Sequence, residues 1–367
     1  MDKLINFPAP RQFRNYQSLL RELEPVPLAD DLLENAPFET PAQQTPPGDP
    51  ILCSIELPLR RVFYPLGFAF EIVTNSQSVL NAAAESWHHT KQLDSRPALQ
   101  LRLCITDHAV DSCPATPVVR GQQHLLSIVA DADNQAICDL EAGYAFGWLT
   151  LDALGYTAYL RYHFLEAIAL ILIASSRATP IHGACVSRFG HGMLLCGPSG
   201  AGKSTLAYAC ARSGWTFISD DSSYLRHDRD GLGVVGNSHQ VRFRPSAKEL
   251  FPEIRGRNIT PRAEGKPSIE VPTAELPGII AADEAEVHSI LLLNRWPCAR
   301  AELLPLPAAA AQDYFQQSLQ LPGKVREQQV RALKRLSSAA VYELRYQDLQ
   351  HAVHCLDLLA KPKGPSS

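Results

Sequence analysis

Apolar positions along this chain follow two periods, alternation and helical spacing, which trade places along its length. Short runs rich in β-branched and aromatic residues, bounded by turn formers, stand at 51–57, 68–74, 99–105 and 124–130 and predict strands. Residues 79–88 interrupt them with helical spacing. Residues 136–151 predict two further strands folded about Glu141-Ala142-Gly143. From 159 to 176, Phe164, Leu165, Ile168, Leu172 and Ile173 recur on a helical face, with Ala167, Ala169 and Ala174 as strong helix formers. That helix is apolar almost all round near its end, which predicts burial. The mixture reads as an α+β N-terminal domain over 51–177.

Residues 1–50 carry neither period. Pro8, Pro10, Pro25, Pro27, Pro37, Pro41, Pro46, Pro47 and Pro50 punctuate them, and beyond a short helix at 11–23 little regular structure is expected. The second half returns to short strands. Apolar stretches at 181–186, 193–196 and 215–218 predict strands, the first two joined by a hairpin turn at 189–192. Asp230-Gly231 predicts another turn, between 223–225 and 233–235. Strands are expected at 241–244 and 287–293, and 312–359 reads as mainly helical with a strand at 341–346. This places a catalytic domain at 178–360 and a polar tail at 361–367. No repeat of fixed period is visible.

Composition narrows the class. The chain has 367 residues, enough for about two domains, with 46% hydrophobic and 20% charged residues. A net charge of -4 argues against a nucleic-acid footprint spread over the molecule, so no nucleic-acid partner is expected. The 9 cysteines are odd in number and contain no C-x-x-C, which favours reduced thiols in a cytosol over a disulfide framework. Residues 1–7 lack the pattern of an export signal, and the longest apolar run, 167–174, is too short to cross a bilayer. The expectation is a cytoplasmic chain with no membrane partner.

The densest chemistry lies in Gly197-Pro198-Ser199-Gly200-Ala201-Gly202-Lys203-Ser204-Thr205, which fits G-x-x-x-x-G-K-[ST]. A short apolar strand precedes it, and a helix over 206–212, closed by Gly214, follows it. Gly197, Gly200 and Gly202 let the backbone curl closely around a phosphate. Successive N–H groups and the helix N-terminus then face the anion. Residues 197 and 199–205 are thus candidates to hold a nucleotide. Lys203 can reach the β- and γ-phosphates of ATP, and the Ser204 hydroxyl can take a place on Mg²⁺.

The strand at 215–218 ends in Ser219-Asp220-Asp221. Two carboxylates beside a phosphate loop supply a metal ligand and a proton acceptor, in either order. Adjacent strand residues point to opposite faces, so the pair can share a site only if the strand has ended. His182 lies one strand earlier, where the hairpin can bring it to Asp220 or Asp221. Arg242 and Arg244 lie on one strand face, and the basic loop of Arg255, Arg257, Arg262 and Lys266 that follows is a candidate to close over a triphosphate, Lys266 foremost. Asn294-Arg295 ends its strand without an acid, so that strand is not expected to bind metal. Cys185, Cys196 and Cys210 read as core residues, and Trp87, Trp148, Trp215 and Trp296 as packing residues. His88-His89 and His351/His354 lack a third ligand.

Ile181-His182-Gly183, the loop from Gly197 to Ser204 and Asp220-Asp221 together resemble the C-terminal catalytic domain of the bacterial HPr kinase/phosphorylase family. The likeness covers about residues 179–221 and extends more loosely toward 300. It implies a P-loop kinase domain of the phosphoenolpyruvate-carboxykinase-like type, here with an additional α+β N-terminal domain unlike the family's own. It implies that Asp220 is the base toward the target hydroxyl, that His182 supports it and that Asp221 stands near the metal. A homo-oligomer is also implied. Glu253-Ile254-Arg255-Gly256 echoes the family's signature loop, but the apolar continuation is missing, which removes support for the reverse phosphorolysis.

The expected function is ATP-dependent, Mg²⁺-assisted transfer to a hydroxyl, foremost a serine of a protein or peptide. Transfer to a small molecule or a biosynthetic peptide is a second reading. A nucleotide-gated binding module without transfer is a third.

Overall fold

The computed structural model describes residues 55–107, 113–259, 267–317, 319, 321 and 323–361. The proline-rich segment with its predicted helix, Arg262, Lys266 and all but the first residue of the tail lie outside the described residues.

Alternation builds the first sheet. Leu99, Leu101 and Leu103 are buried on one face of Leu99–Thr106, while Gln100 and Arg102 point away. The sheet has seven strands in the order Leu59–Phe63, Phe70–Thr74, Leu99–Thr106, Tyr144–Thr150, Gln135–Asp139, Leu125–Val129 and Val118–Gln122. Helix Gln77–Trp87 and the helix over Thr157–Ser176 cover its apolar face. The strand expected at 51–57 differs: its described part is irregular, and the edge strand is Leu59–Phe63, paired antiparallel with Phe70–Thr74. Pro58 separates the two stretches, and an edge position tolerates the exposed Arg60 and Arg61. Val118–Gln122 was not foreseen, because its VVRGQ sequence has a polar end and a glycine; pairing with Leu125–Val129 completes it.

Helix Thr157–Ser176 is longer than its uninterrupted apolar run, with 20 residues and a mean hydropathy of 1.3. By length and composition it therefore can span a membrane, which corrects the expectation drawn from 167–174 alone. In this fold it is a core element: Phe164, Leu165, Ile168, Leu172 and Ile173 are fully buried. Residues Leu160–Glu166 within it form a π-helical turn.

The second sheet is mixed. Its order is Ile280–Ala281, Thr216–Ser219, Gly183–Arg188, His191–Cys196, Glu284–Arg295, Gly233–Gly236, Ser223–Arg226 and Ala178–Ile181. Ala340–Tyr346 pairs parallel with the long strand Glu284–Arg295 and antiparallel with Glu302–Leu306. Both faces are covered. Ala184, Val186, Met193 and Leu195 meet helices Lys203–Arg212 and Leu349–Ala360 in one core. Cys185, Leu194, Cys196 and Ile218 meet helices Ala308–Gln316 and Gly323–Arg335 in another. Burial on two faces explains why these strands read as continuous apolar runs. The core of the first sheet continues into this half through Tyr224, Val235, Leu321 and Val325. Gln240–Phe243 and Ile269–Pro272 form a separate two-stranded sheet.

Candidate active site

The hairpin at Phe189-Gly190, with φ of 53° and 76°, returns the chain so that Cys196 pairs with Gly183. This register sets His182 beside the start of the phosphate loop. Gly200 and Gly202 take φ of 91° and 96°, the left-handed region open to glycine. At Gly202 a Cβ would also meet Tyr346 Oη at 2.5 Å. Helix Lys203–Arg212 begins directly after it.

Two tyrosines buttress the loop from below. Tyr346 Oη donates to Ala201 O at 2.9 Å. Tyr314 Oη accepts the Gly197 N–H at 3.0 Å and lies 2.7 Å from His182 O and 3.0 Å from Gly197 O. Its single proton serves one of those carbonyls at a time. Burial pushes the Tyr314 phenol far above its ordinary value, so it remains a donor.

Lys203 is buried. Its ammonium donates to Gly197 O at 2.8 Å and to His182 Nε2 at 3.0 Å. Burial draws its pKa below the ordinary lysine value, while Asp221 opposes that shift and Arg244 adds to it.

The acid strand Thr216–Ser219 ends before the two aspartates, so both turn toward one space. A serine clamp fixes this end. Ser219 Oγ accepts the Cys185 N–H at 3.0 Å and meets Ser223 Oγ at 2.7 Å, and Ser223 Oγ donates to Gly183 O at 2.9 Å. Asp220 is 7% exposed, and its Oδ2 accepts the Arg242 N–H at 2.6 Å. Asp221 has a side chain 43% exposed, and its Oδ1 lies 3.7 Å from His182 Nδ1.

A cavity of about 230 Å³ gathers these groups. Of the loop residues singled out from sequence, Ser199, Gly200, Gly202, Lys203, Ser204 and Thr205 line it, with His182, Asp220 and Asp221. Gly197 and Ala201 lie beneath. The Gly197 N–H goes to Tyr314, and the Ala201 N–H donates to Pro198 O at 3.0 Å. His182 Nδ1 thus faces Asp221, whereas the family resemblance sets the histidine behind Asp220.

The cationic wall differs in part from expectation. Arg242 and Arg244, from the predicted strand before the basic loop, line the cavity, and Arg295 joins them. Arg255 instead donates to Lys248 O at 2.9 Å, and Arg257 pairs with Glu275. In the E-I-R-G stretch, Glu253 accepts from Tyr208 Oη at 2.8 Å and pairs with Arg212 at 3.1 Å, a structural arrangement. Arg295 was passed over because its strand end carries no acid. The usable signal was position, since ligands gather outside the carboxyl ends of parallel strands and Glu284–Arg295 runs parallel to the loop strand. Trp296, read as packing, is 58% exposed just past that end.

Ser204, Asp220 and Asp221 are hard oxygen donors on one cavity, the set that suits Mg²⁺. Among the described residues no group of three or more His, Cys, Asp or Glu is placed to hold a metal unaided.

No family model matches the chain. An HPr kinase/phosphorylase from Lactobacillus delbrueckii subsp. bulgaricus is 33% identical over 157 residues, covering 42% of this chain and 43% of the relative. One from a Geobacillus species is 24% identical over 174 residues, 47% of this chain and 48% of the relative. Over these stretches the chain is similar to HPr kinase/phosphorylases. It spans less than half the length of these curated relatives. The solved Hpr(Ser) kinase/phosphatase from Coxiella burnetii shares 15% identity, covers 49% of this chain and 90% of its own, and has a TM-score of 0.28, a level that carries no argument about geometry.

Proposed function

We propose that this chain is a cytoplasmic ATP-dependent kinase that transfers the γ-phosphate to a hydroxyl, foremost a serine of a protein or peptide. One observation carries the reading: a single cavity gathers the loop residues 199, 200 and 202–205, the ammonium of Lys203 among them, and both carboxylates. The relatives' names point to HPr as the kind of acceptor they serve. For this chain the acceptor class is a serine-bearing protein or peptide, and phosphorolysis is not part of the proposal. The antiparallel strand Gly183–Arg188, lying between the loop strand and the acid strand, supports a P-loop domain of the phosphoenolpyruvate-carboxykinase-like type over 178–360.

At about 230 Å³ the cavity is smaller than the roughly 300–1,000 Å³ that encloses a drug-sized ligand. It suits the phosphates and the incoming hydroxyl, with the nucleoside on the rim. Loop amides and Lys203 hold the terminal phosphates, and Arg244 and Arg295 face the charge that spreads over the transferred group. Asp220, anchored through Oδ2, takes the proton as the acceptor oxygen bonds to phosphorus. The bond from phosphorus to the β–γ bridging oxygen breaks, and ADP leaves. His182 stands behind the acids. Ser204 and Asp221 are the residues that would hold Mg²⁺, which when bound neutralises phosphate charge.

Calorimetry with ATP or ADP in the presence of magnesium tests the binding step, and labelled ATP in a cell extract tests transfer. A labelled protein band is the expected result. Label only in small molecules moves the acceptor class, and binding without transfer makes the chain a nucleotide-gated module. Absence of any nucleotide binding ends the kinase reading.

A further inference from the structure

Polar contacts run from the helices of the first sheet to the proposed base. Register in the small sheet sets Arg242 opposite Glu270. The Arg242 N–H holds Asp220 Oδ2 at 2.6 Å, and the residue is part of the cavity lining. The Arg242 Nε lies 3.2 Å from Glu270 Oε1, on a carboxylate whose side chain is 9% exposed. The other oxygen, Glu270 Oε2, accepts from Tyr162 Oη at 2.9 Å and from the Gln240 amide at 3.0 Å. Tyr162 belongs to the π-helical turn Leu160–Glu166. Glu166, in the same turn, accepts from Ser86 Oγ at 2.8 Å and pairs with Arg161 at 3.3 Å.

A buried ion pair alone satisfies buried charge and says little about function. Three further features argue for more. π-Turns are rare and gather at functional sites, and this one supplies both Tyr162 and Glu166. Arg242 meets Glu270 with its side chain and Asp220 with its backbone, so tilting the small sheet moves the aspartate. The groups around Arg242 are also matched in charge. Burial alone would lower its pKa, yet Glu270, Glu166 and Asp220 outweigh burial and raise it. Burial and the Glu270 charge lift Tyr162 to about 12, which keeps it a donor.

We infer that Tyr162 and Glu270 are positioning residues for phosphate transfer, locking the Arg242 strand so that Asp220 is held at a fixed angle to the incoming hydroxyl. The inference rests on the reading of Asp220 as base. It gives the first half of the chain a part in a reaction whose motifs all lie in the second half.

The test is transfer kinetics on the full chain. Tyr162→Phe should lower kcat roughly tenfold and Glu270→Gln roughly 10–100-fold, since misplacement of a catalytic group by about 1 Å can cost about 10²-fold. Nucleotide affinity by calorimetry should stay within about twofold, because neither residue lines the cavity. Adding Tyr162→Phe to Asp220→Asn should cause no further loss of residual transfer, an absence of additivity that a merely stabilising role would not produce. Unchanged kcat in Tyr162→Phe, a loss confined to nucleotide affinity, or full additivity with Asp220→Asn overturns the inference. Full transfer by Asp220→Asn alone overturns the reading of the base instead.

Discussion

Lys203 Nζ lies 3.0 Å from His182 Nε2. An ammonium only donates, so this ring nitrogen accepts, and the proton of the neutral imidazole sits on Nδ1. Nδ1 in turn faces Asp221 Oδ1 at 3.7 Å. The lysine of the phosphate loop, the histidine of the preceding strand and one acid therefore form a line whose tautomer is set by the loop itself.

The lysine prediction follows. Lys203→Ala removes the only ammonium among the described cavity-lining residues and should cut kcat/KM for transfer by about 10²–10³-fold or more, the usual loss of a donor aimed at developing charge. The fold should persist, because its three cores do not depend on that side chain. Transfer kinetics with circular dichroism on the same preparation check both halves. Full activity in the variant sinks the assigned role.

At His182 the two nitrogens separate. His182→Ala should lower kcat about 10–100-fold, at or below the roughly 10²-fold lower limit of a direct acid–base contribution, because His182 acts through the acids. His182→Gln places an amide oxygen near the Nε2 position, accepts from Lys203 and should bind ATP as the parent does while still transferring slowly. Calorimetry and rate measurements on both variants read this out. Equal nucleotide affinity loss in both would mean that the Lys203 contact is unimportant.

The loop's shape depends on Gly202 and Tyr346. Gly202→Ala forces a side chain into φ of 96° and against Tyr346 Oη, so it should destabilise the protein by about 1–3 kcal/mol and weaken nucleotide binding. Tyr346→Phe alone should cost about 1 kcal/mol through the lost bond to Ala201 O. Combined, the two should cost less than their sum, because removing the hydroxyl relieves the clash while the φ strain stays. Denaturant melts of the four proteins test that coupling.

Acid sensitivity has a specific source in His227. Its pKa is lowered from 6.5 to about 4, first by burial and then by Arg96 and Arg335, while its ring meets Thr179 Oγ1 at 2.8 Å and Gln328 Nε2 at 3.1 Å. Between pH 6.5 and 4 the unfolded chain binds a proton that the folded chain does not. Stability contributed by the neutral ring is therefore complete above pH 6.5 and is lost as pH falls toward 4. The loss should be about 1–2 kcal/mol after allowing for partial exposure. Thermal melts across this range should show a shallower slope for His227→Gln, and an unchanged slope would refute the assignment.

How much of this was legible in the sequence varies with the range of the forces involved. The strand, loop and helix around Lys203 were legible because the glycines, the amides and the helix start are neighbours in sequence. So were the hairpins at Phe189-Gly190 and Asp230-Gly231, whose turns are local. The edge strand Leu59–Phe63 was misplaced, since an edge needs little hydrophobic pattern and its partner supplies the pairing. Arg255 and Arg257 looked like the charge clamp because they are basic and close in sequence. Their hydrogen-bond partners Lys248 and Glu275 decide otherwise.

By itself the sequence determined a glycine-rich turn between a strand and the helix that starts at Lys203, and acids and a histidine a strand or two away. Backbone amides at a helix start bind an anion wherever the chain goes next. Only the tertiary structure decided that His182 meets Asp221, that Arg242, Arg244 and Arg295 form the cationic wall, and that Tyr314 and Tyr346 hold the loop up from helices and strands more than a hundred residues later. Those contacts depend on sheet register and two-sided burial, where a one-residue slip turns every side chain to the other face, and no local pattern records that choice.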